Sequence, residues 1–504
     1  MHAWTNLGNL IDCNHDLHKT AIIDLGGETA PREFSFALLD RMANSVARAL
    51  RARGLARGER VAILSANRAE YLAAYYGIMR AGLVAVPVNW RFPRPLIDAV
   101  LRDAGARLVF CDPQRRTDCP SDLPIVDFGD PGPTGFRAWC DEGPWSTVEP
   151  EPNAPAMFLY TSGSTGRPKG VVLSHQSHLW VVRTRLGTQD LARHRFLVAA
   201  PLYHMNALAL AKFACAAHAT IVLLPQFTAR AYVEAIARFR CTWLTSVPPM
   251  IAMMLKEKAL LAQTDLSSVE CLRMGSAPVS PALMAGIRIV LPTTAVTNAY
   301  GTTEAGPVVF GPHPDGQPTP ELSVGYAHPA VQLRLVDGPN RDAAEGVLEM
   351  RCPALMTGYH NRPDLTPPFT EDGFYITGDV FRRDAHGFYF FVGRMDDMFV
   401  SGGENIYPGE VEKMLETHPA IEQACVVPID DDIKGQKPVA FIVPRLGAML
   451  TEAEVKQYTL AQAPAYQHPR AVWCLEALPL SSTNKIDRTQ LAAEARRRLP
   501  MGVA

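Results

Sequence analysis

The chain predicts an α/β protein built on parallel sheets, and three features carry that reading. Helical and strand periodicities alternate over the first 300 residues. Strand-like runs such as Val61–Leu64 and Val84–Val88 are apolar throughout, as in strands covered on both faces. At 504 residues the chain is also far too long for one simple core.

The elements follow in order. Leu39, Met42, Val46 and Leu50 keep the spacing of an amphipathic helix. Val61–Leu64 reads as a strand, Ala69–Gly82 as a helix and Val84–Val88 as a strand. The strand signal returns at Leu108–Cys111, Ala156–Tyr160, Thr220–Leu224, Thr242–Thr245 and Cys271–Met274. Residues 112–155, rich in Pro, Asp and Gly, read as a long surface connection. Lys212 and His218 interrupt the apolar stretch Ala207–Leu224, so it reads as a buried helix and strand and not as a membrane span. Beyond about residue 310 the runs shorten and alternate, as in Val331–Val336 and Gly346–Met350, which suggests antiparallel strands and a small β-barrel. A third change follows Gly393–Asp397. The expected domains are residues 1–395 and a small α+β domain at 396–504.

Composition excludes several functions. Lys plus Arg total 49 against 51 Asp plus Glu, so no basic excess exists to track a nucleic acid. The ten cysteines form no C-x-x-C pair, which removes the common zinc and dithiol motifs. The first twenty residues hold no apolar run of the signal-peptide kind. A cytoplasmic protein without an integral membrane segment is expected, with the oligomeric state open and a homodimer among the options.

The segment Tyr160–Gly170 packs four aliphatic hydroxyls, three glycines and two cations into eleven residues. Such a loop lets backbone N–H groups and side-chain donors approach a polyphosphate. It is not a Walker A loop, because Pro168-Lys169-Gly170 stands where Gly-Lys-Ser/Thr is required. The order T-S-G-S-T-G-x-P-K-G after a strand resembles the phosphate loop of the adenylate-forming superfamily. That superfamily comprises acyl-CoA synthetases, nonribosomal-peptide adenylation domains and firefly luciferase. Further motifs resemble it in the same order from about residue 30 to 490, closest to the acyl-CoA synthetases.

The resemblance implies a large N-terminal part of two helix-covered sheet subdomains plus a small barrel, and a mobile C-terminal domain. It implies ATP, Mg²⁺ and CoA as cofactor and co-substrates, and a small carboxylic acid as substrate. Thr161, Ser162, Gly163, Ser164, Thr165, Gly166 and Lys169 would hold phosphates. Ser276, Ala277 and Pro278 would cover adenine. In Asn298-Ala299-Tyr300-Gly301-Thr302-Thr303-Glu304, Tyr300 would stack on the base, Thr303 would meet phosphate and Glu304 would hold Mg²⁺ with Thr161. Asp379 and Arg394 would read the ribose. Asp396 would be the hinge, with Gly402, Gly403 and Glu404 lining a pantetheine tunnel after rotation. Lys485 would enter the site to bridge carboxylate and α-phosphate; Asn484 precedes it where relatives commonly have Gly. His204, Met205, Val247, Gly275, Gly301, Gly306 and Pro307 would form the acyl pocket, with His204 at its entrance.

The reaction implied is acid activation as an acyl-adenylate, with pyrophosphate released, followed by attack of CoA and release of AMP. Lys485, Glu304, His204 and Thr161 would carry it. The pocket positions are mostly apolar or small and show no cation for a second carboxylate, which points to an aryl or a medium-to-long-chain fatty acid. Loading of a separate carrier protein, luciferase-like chemistry and a non-catalytic nucleotide-binding role remain as alternatives.

Overall fold

The computed structural model describes residues 4–27, 30–161, 168–277, 279–401, 404–431, 435–463, 465–481 and 485–499. Of the predicted site, Ser162, Gly163, Ser164, Thr165, Gly166, Pro278, Gly402 and Gly403 lie outside these residues.

Two seven-stranded sheets form the larger part. The first runs from Ala295–Ala299 through Cys271–Gly275, Trp243–Ser246, Arg195–Val198 and Thr220–Leu223 to Thr20–Asp24, all parallel. Antiparallel Arg32–Ser35 ends it. In the second, Pro155–Thr161, Val84–Pro87, Arg60–Leu64, Ala106–Cys111 and Ile125–Asp127 are parallel. Lys169–Ser174 and then Gly358–His360 add antiparallel at the near edge. Helices Phe36–Ala52 and Ala69–Arg80 belong to one apolar core shared by both sheets. In Ala69–Arg80 every residue but Glu70 is buried, which explains an apolar pattern wider than one stripe. Among the described residues, no helix is long and apolar enough to cross a membrane; Met205–Ala216 is a buried helix leading to strand Thr220–Leu223.

Two expectations change. Residues 112–155 are more than a surface connection. They supply the edge strand Ile125–Asp127, and Phe128, Phe136 and Trp139 pack around Phe110 at centroid distances of 5.2–5.9 Å. Aromatics dispersed among Pro and Gly give no periodicity, which hid this. The third sheet is an open antiparallel path of six strands, from Phe310–Gly311 to Gln332–Val336. Its two end strands do not pair among the described residues, so it is not the closed barrel expected.

The C-terminal segment builds a five-stranded sheet of its own, centred on the long hairpin Ile421–Asp431 and Gly435–Pro444. Separate apolar clusters cover its two faces, one under Pro408–Glu416 and one under Arg488–Arg498. Arg488 anchors the last helix through Glu412, with Nη1 and Nη2 donating to its two carboxylate oxygens at 2.5 and 2.6 Å.

Candidate active site

The hairpin Pro155–Thr161/Lys169–Ser174 sets Thr161 opposite Lys169, at the two ends of the phosphate-loop segment. Gly170 is required by packing, since a Cβ there would stand 2.9 Å from the Tyr160 ring. Tyr160 in turn donates to Asp103 Oδ2 at 2.6 Å. Lys169 Nζ lies over the Tyr359 ring, 4.9 Å from its centroid. The Tyr359 hydroxyl donates to Glu304 Oε1 at 3.1 Å. One tyrosine thus joins the phosphate-loop lysine to the predicted metal carboxylate.

Across the site, strands Tyr375–Arg383 and Phe388–Arg394 put Asp379 in register with Arg394, and their side chains form a 3.5 Å ion pair. Tyr300 Oη donates to Asp379 Oδ2 at 2.5 Å. Burial raises the Asp379 pKa, against which Arg394 and Tyr300 act to keep it ionised. The strand Cys271–Gly275 ends where Ser276 takes a left-handed φ of 67°. That sparsely populated conformation is of the kind that clusters at ligand sites. Asn298 donates to the Leu322 carbonyl at 2.9 Å. Thr302 closes a tight turn, accepting from the Ala305 N–H at 3.0 Å on its hydroxyl and from Gly306 N–H at 2.9 Å on its carbonyl.

Lys485 reaches this cluster from the C-terminal segment. Its side chain stays reachable by solvent, yet the surrounding protein lowers its pKa, with Arg394 adding to the effect and Asp379 opposing it. The same ammonium bears on His204, whose pKa falls to about 3 through burial first, then Lys485 and Arg91. His204 is therefore neutral. It stands at the start of helix Met205–Ala216, packs on Tyr203 at 4.5 Å, and its Nε2 has no hydrogen-bond partner. A ring nitrogen left without a partner among the described residues is available to a ligand.

Met205 opens that helix, Val247 follows strand Trp243–Ser246 and Gly275 ends strand Cys271–Gly275. A Cβ on Gly301 would come within 2.7 Å of Gly306 O and 2.8 Å of Pro307 Cα. Glycine there lets residues 301–307 fold back on themselves. One correction concerns charge. Arg273, two residues before Gly275, donates to the Pro307 carbonyl at 3.1 Å, so a cation does touch one of the predicted pocket positions. Strand burial alone marked 271–274 as apolar, and alternation then leaves Arg273 on the face of Gly275. Tyr359 was also missed; its short strand Gly358–His360 is far from the other motifs in sequence and carries no pattern.

Two predicted residues stand apart. Glu404 is exposed on the C-terminal sheet, paired with Ser401. Asp396 is exposed beside Arg394, 3.8 Å from its Nη2. Metal chemistry fits modestly: among the described residues no group of three His, Cys, Asp or Glu could cage an ion. A single carboxylate such as Glu304 fits an ion that arrives on phosphate oxygens and keeps waters, as Mg²⁺ does.

Asp379 paired with Arg394, a hairpin that carries Lys169 and a lysine from the C-terminal segment form the arrangement expected of a nucleotide-dependent ligase. A family model described as AMP-binding enzyme matches residues 12–360, and one described as AMP-binding enzyme C-terminal domain matches 410–485. The chain belongs to the AMP-binding enzyme family. It is an AMP-forming acid–thiol ligase, which activates a carboxylic acid with ATP and forms a CoA thioester. It is 32% identical over 482 residues to the indoleacetate–CoA ligase of Aromatoleum aromaticum, covering 92% of this chain and 94% of that one. It is 32% identical over 481 residues to the fatty acid–[acyl-carrier-protein] ligase ScoC of Streptomyces coeruleorubidus, covering 91% of each. The crystal structure of the anthranilate CoA ligase AuaEII with anthranoyl-AMP superposes with a TM-score of 0.87 at 26% identity, over 98% of both chains.

Proposed function

We propose that the cluster of Lys485, Asp379, Arg394, Tyr300 and Glu304 is the adenylation centre, and that His204 guards the acid that enters it. The observation that carries this reading is the placement of Lys485, a C-terminal residue, within charge reach of both Asp379 and His204. One ammonium then faces the nucleotide side and the acyl side together. Carboxylate attack on the α-phosphorus is in-line displacement, in which positioning and charge neutralisation supply most of the catalysis. Asp379 accepts from ribose hydroxyls, Lys169 and the Thr161–Lys169 loop hold the leaving phosphates, and Lys485 offsets charge on the reacting phosphoryl group. Mg²⁺, carried in on ATP, would neutralise phosphate charge beside Glu304 and Thr161.

In the second half-reaction residues 396–504 rotate about Asp396 as a unit, withdrawing Lys485 and bringing Gly402, Gly403 and Glu404 to the thiol path. The acyl body is aromatic or a medium-to-long alkyl chain, supported by the apolar Met205, Val247 and Pro307 and by relatives named for both kinds of acid. The acceptor is CoA, in a cytoplasmic protein. Acid-dependent exchange of pyrophosphate into ATP, followed by AMP release only when CoA is added, tests the reading. Exchange without any acid, or AMP release indifferent to CoA, would overturn it.

A further inference from the structure

Behind the acyl pocket lies a concentration of positive charge that the nucleotide chemistry does not use. Arg273 is in register with Thr245, so their side chains share one face of the first sheet. Trp243 lies on the same face and packs edge-on against Phe213 at 6.1 Å, which places that face under helix Met205–Ala216. On this helix Lys212 is fully buried, its Nζ 3.2 Å from His178 Nδ1. From helix His175–Leu186, Arg185 lays its guanidinium over the Phe213 ring at 4.2 Å. His178, Val181 and Arg185 follow the spacing of one helix face. Val181 itself borders the pocket, 3.3 Å from where a Cβ on Gly306 would stand.

These charges lack a counterion. Burial lowers all three pKa values, Arg185 to about 9, Arg273 to about 10 and Lys212 to about 7. The further influences on Arg185 and Lys212 are cations too, Arg273 on the first and Arg185 on the second. No carboxylate among the described residues acts on any of them. Polar atoms are also left over: among the described residues, buried Thr245 Oγ1 and His178 Nε2 have no hydrogen-bond partner. Lys212 is fully buried and Arg185 and Arg273 are partly so, and such a set of cations is costly unless an anion joins it.

We propose that the acid substrate carries a second anionic group at the end remote from its reacting carboxylate, held at the blind end of the acyl pocket by Arg273 and Arg185. The proposal rests on the acyl-pocket reading above and narrows it. Guanidinium forks match a planar carboxylate, and Lys212 adds charge from behind. Met205, Val181 and Phe213 stand between the predicted pocket positions and these cations, so the body joining the two anionic groups is a ring or a hydrocarbon chain. Met205 and Lys212 are seven residues apart on one helix, about 10 Å along its axis, which sets the scale of that body.

The test is pyrophosphate release, with CoA present, from matched acids: benzoate against terephthalate and 4-sulfobenzoate, and octanoate against suberate. The wild type is expected to favour the doubly anionic member of a pair by about tenfold or more in kcat/KM. The carboxylate and sulfonate arms decide which anion is held. Arg273→Gln and Arg185→Gln should erase that preference, with a rise in KM for the doubly charged acid about tenfold larger than any change for the singly charged one. Preference for the monoacids in the wild type overturns the proposal alone, and so does an equal loss on both members in the variants, which would reduce Arg273 to a prop for Pro307. Release with none of these acids overturns the ligase reading and this proposal with it.

Discussion

The phenol of Tyr300 donates to Asp379 at 2.5 Å, tying the residue expected to stack on adenine to the one expected to read ribose. Under the proposed roles, one hydrogen bond would couple base and sugar recognition. Removal of the hydroxyl in Tyr300→Phe leaves the ring for stacking and deprives a buried carboxylate of a donor. A hydrogen bond to a charged group contributes about 1.5–3 kcal/mol, so the KM for ATP should rise about tenfold or more. Initial rates of pyrophosphate release against ATP concentration measure it. An unchanged KM refutes the coupling.

Lys485→Ala should slow adenylation by about a hundredfold or more, the scale of losing one preorganised charge contact at a transition state. Thioester formation from supplied acyl-adenylate should persist, because the lysine has no place in that step. The two half-reactions are assayed separately, and parallel loss of both would contradict the role given to it.

Tyr359 holds Glu304 and shields Lys169, so Tyr359→Phe should act through the metal. The Mg²⁺ concentration for half-maximal pyrophosphate release should rise severalfold, with a larger rise in Glu304→Gln. An effect on acid KM with no change in Mg²⁺ dependence would place Tyr359 elsewhere in function.

Acid should loosen the fold through His175. Its Nδ1 accepts from the Leu7 N–H at 3.0 Å, and burial lowers its pKa to about 4. The unfolded chain binds this proton near 6.5, so between 6.5 and 4 it holds more protons than the folded one. Stability is then complete above about pH 6.5 and declines as pH falls through that window. At pH 5 this group alone removes about 2 kcal/mol. Denaturant midpoints at pH 7.5 and 5 test this: His175→Gln should narrow the gap between them, and an equal gap in variant and wild type would exclude His175.

Much of this architecture was legible because strands of parallel sheets are buried on both faces and read as apolar runs. Val61–Leu64 and Thr220–Leu223 stand where the pattern put them. Tyr300, Glu304 and Asp379 were singled out through motif order, and the fold brings Tyr300 onto Asp379 and Glu304 onto Tyr359. Tyr359 and the buried Lys212 were not. One sits on a three-residue strand, and the other reads in sequence as a break in an apolar run. Charge that is buried against distant elements leaves no local periodicity. Only the packing of His175–Leu186 on Met205–Ala216 reveals that Arg185 and Lys212 belong to one neighbourhood.

Two polar contacts link the C-terminal segment to the larger part beside the packing of helix Pro408–Glu416 on strand Phe388–Arg394. Lys256 meets Glu422 at 3.0 Å on the surface, and Lys413 donates to the Phe391 carbonyl at 2.8 Å. A surface pair of that kind contributes about 0–1 kcal/mol. Nothing in these fastenings resembles a lock. If the C-terminal unit swings between half-reactions as proposed, its resting place is a matter of tenancy: a bound triphosphate that engages Lys485 reinforces the clasp, and its departure as pyrophosphate leaves the clasp to hold alone.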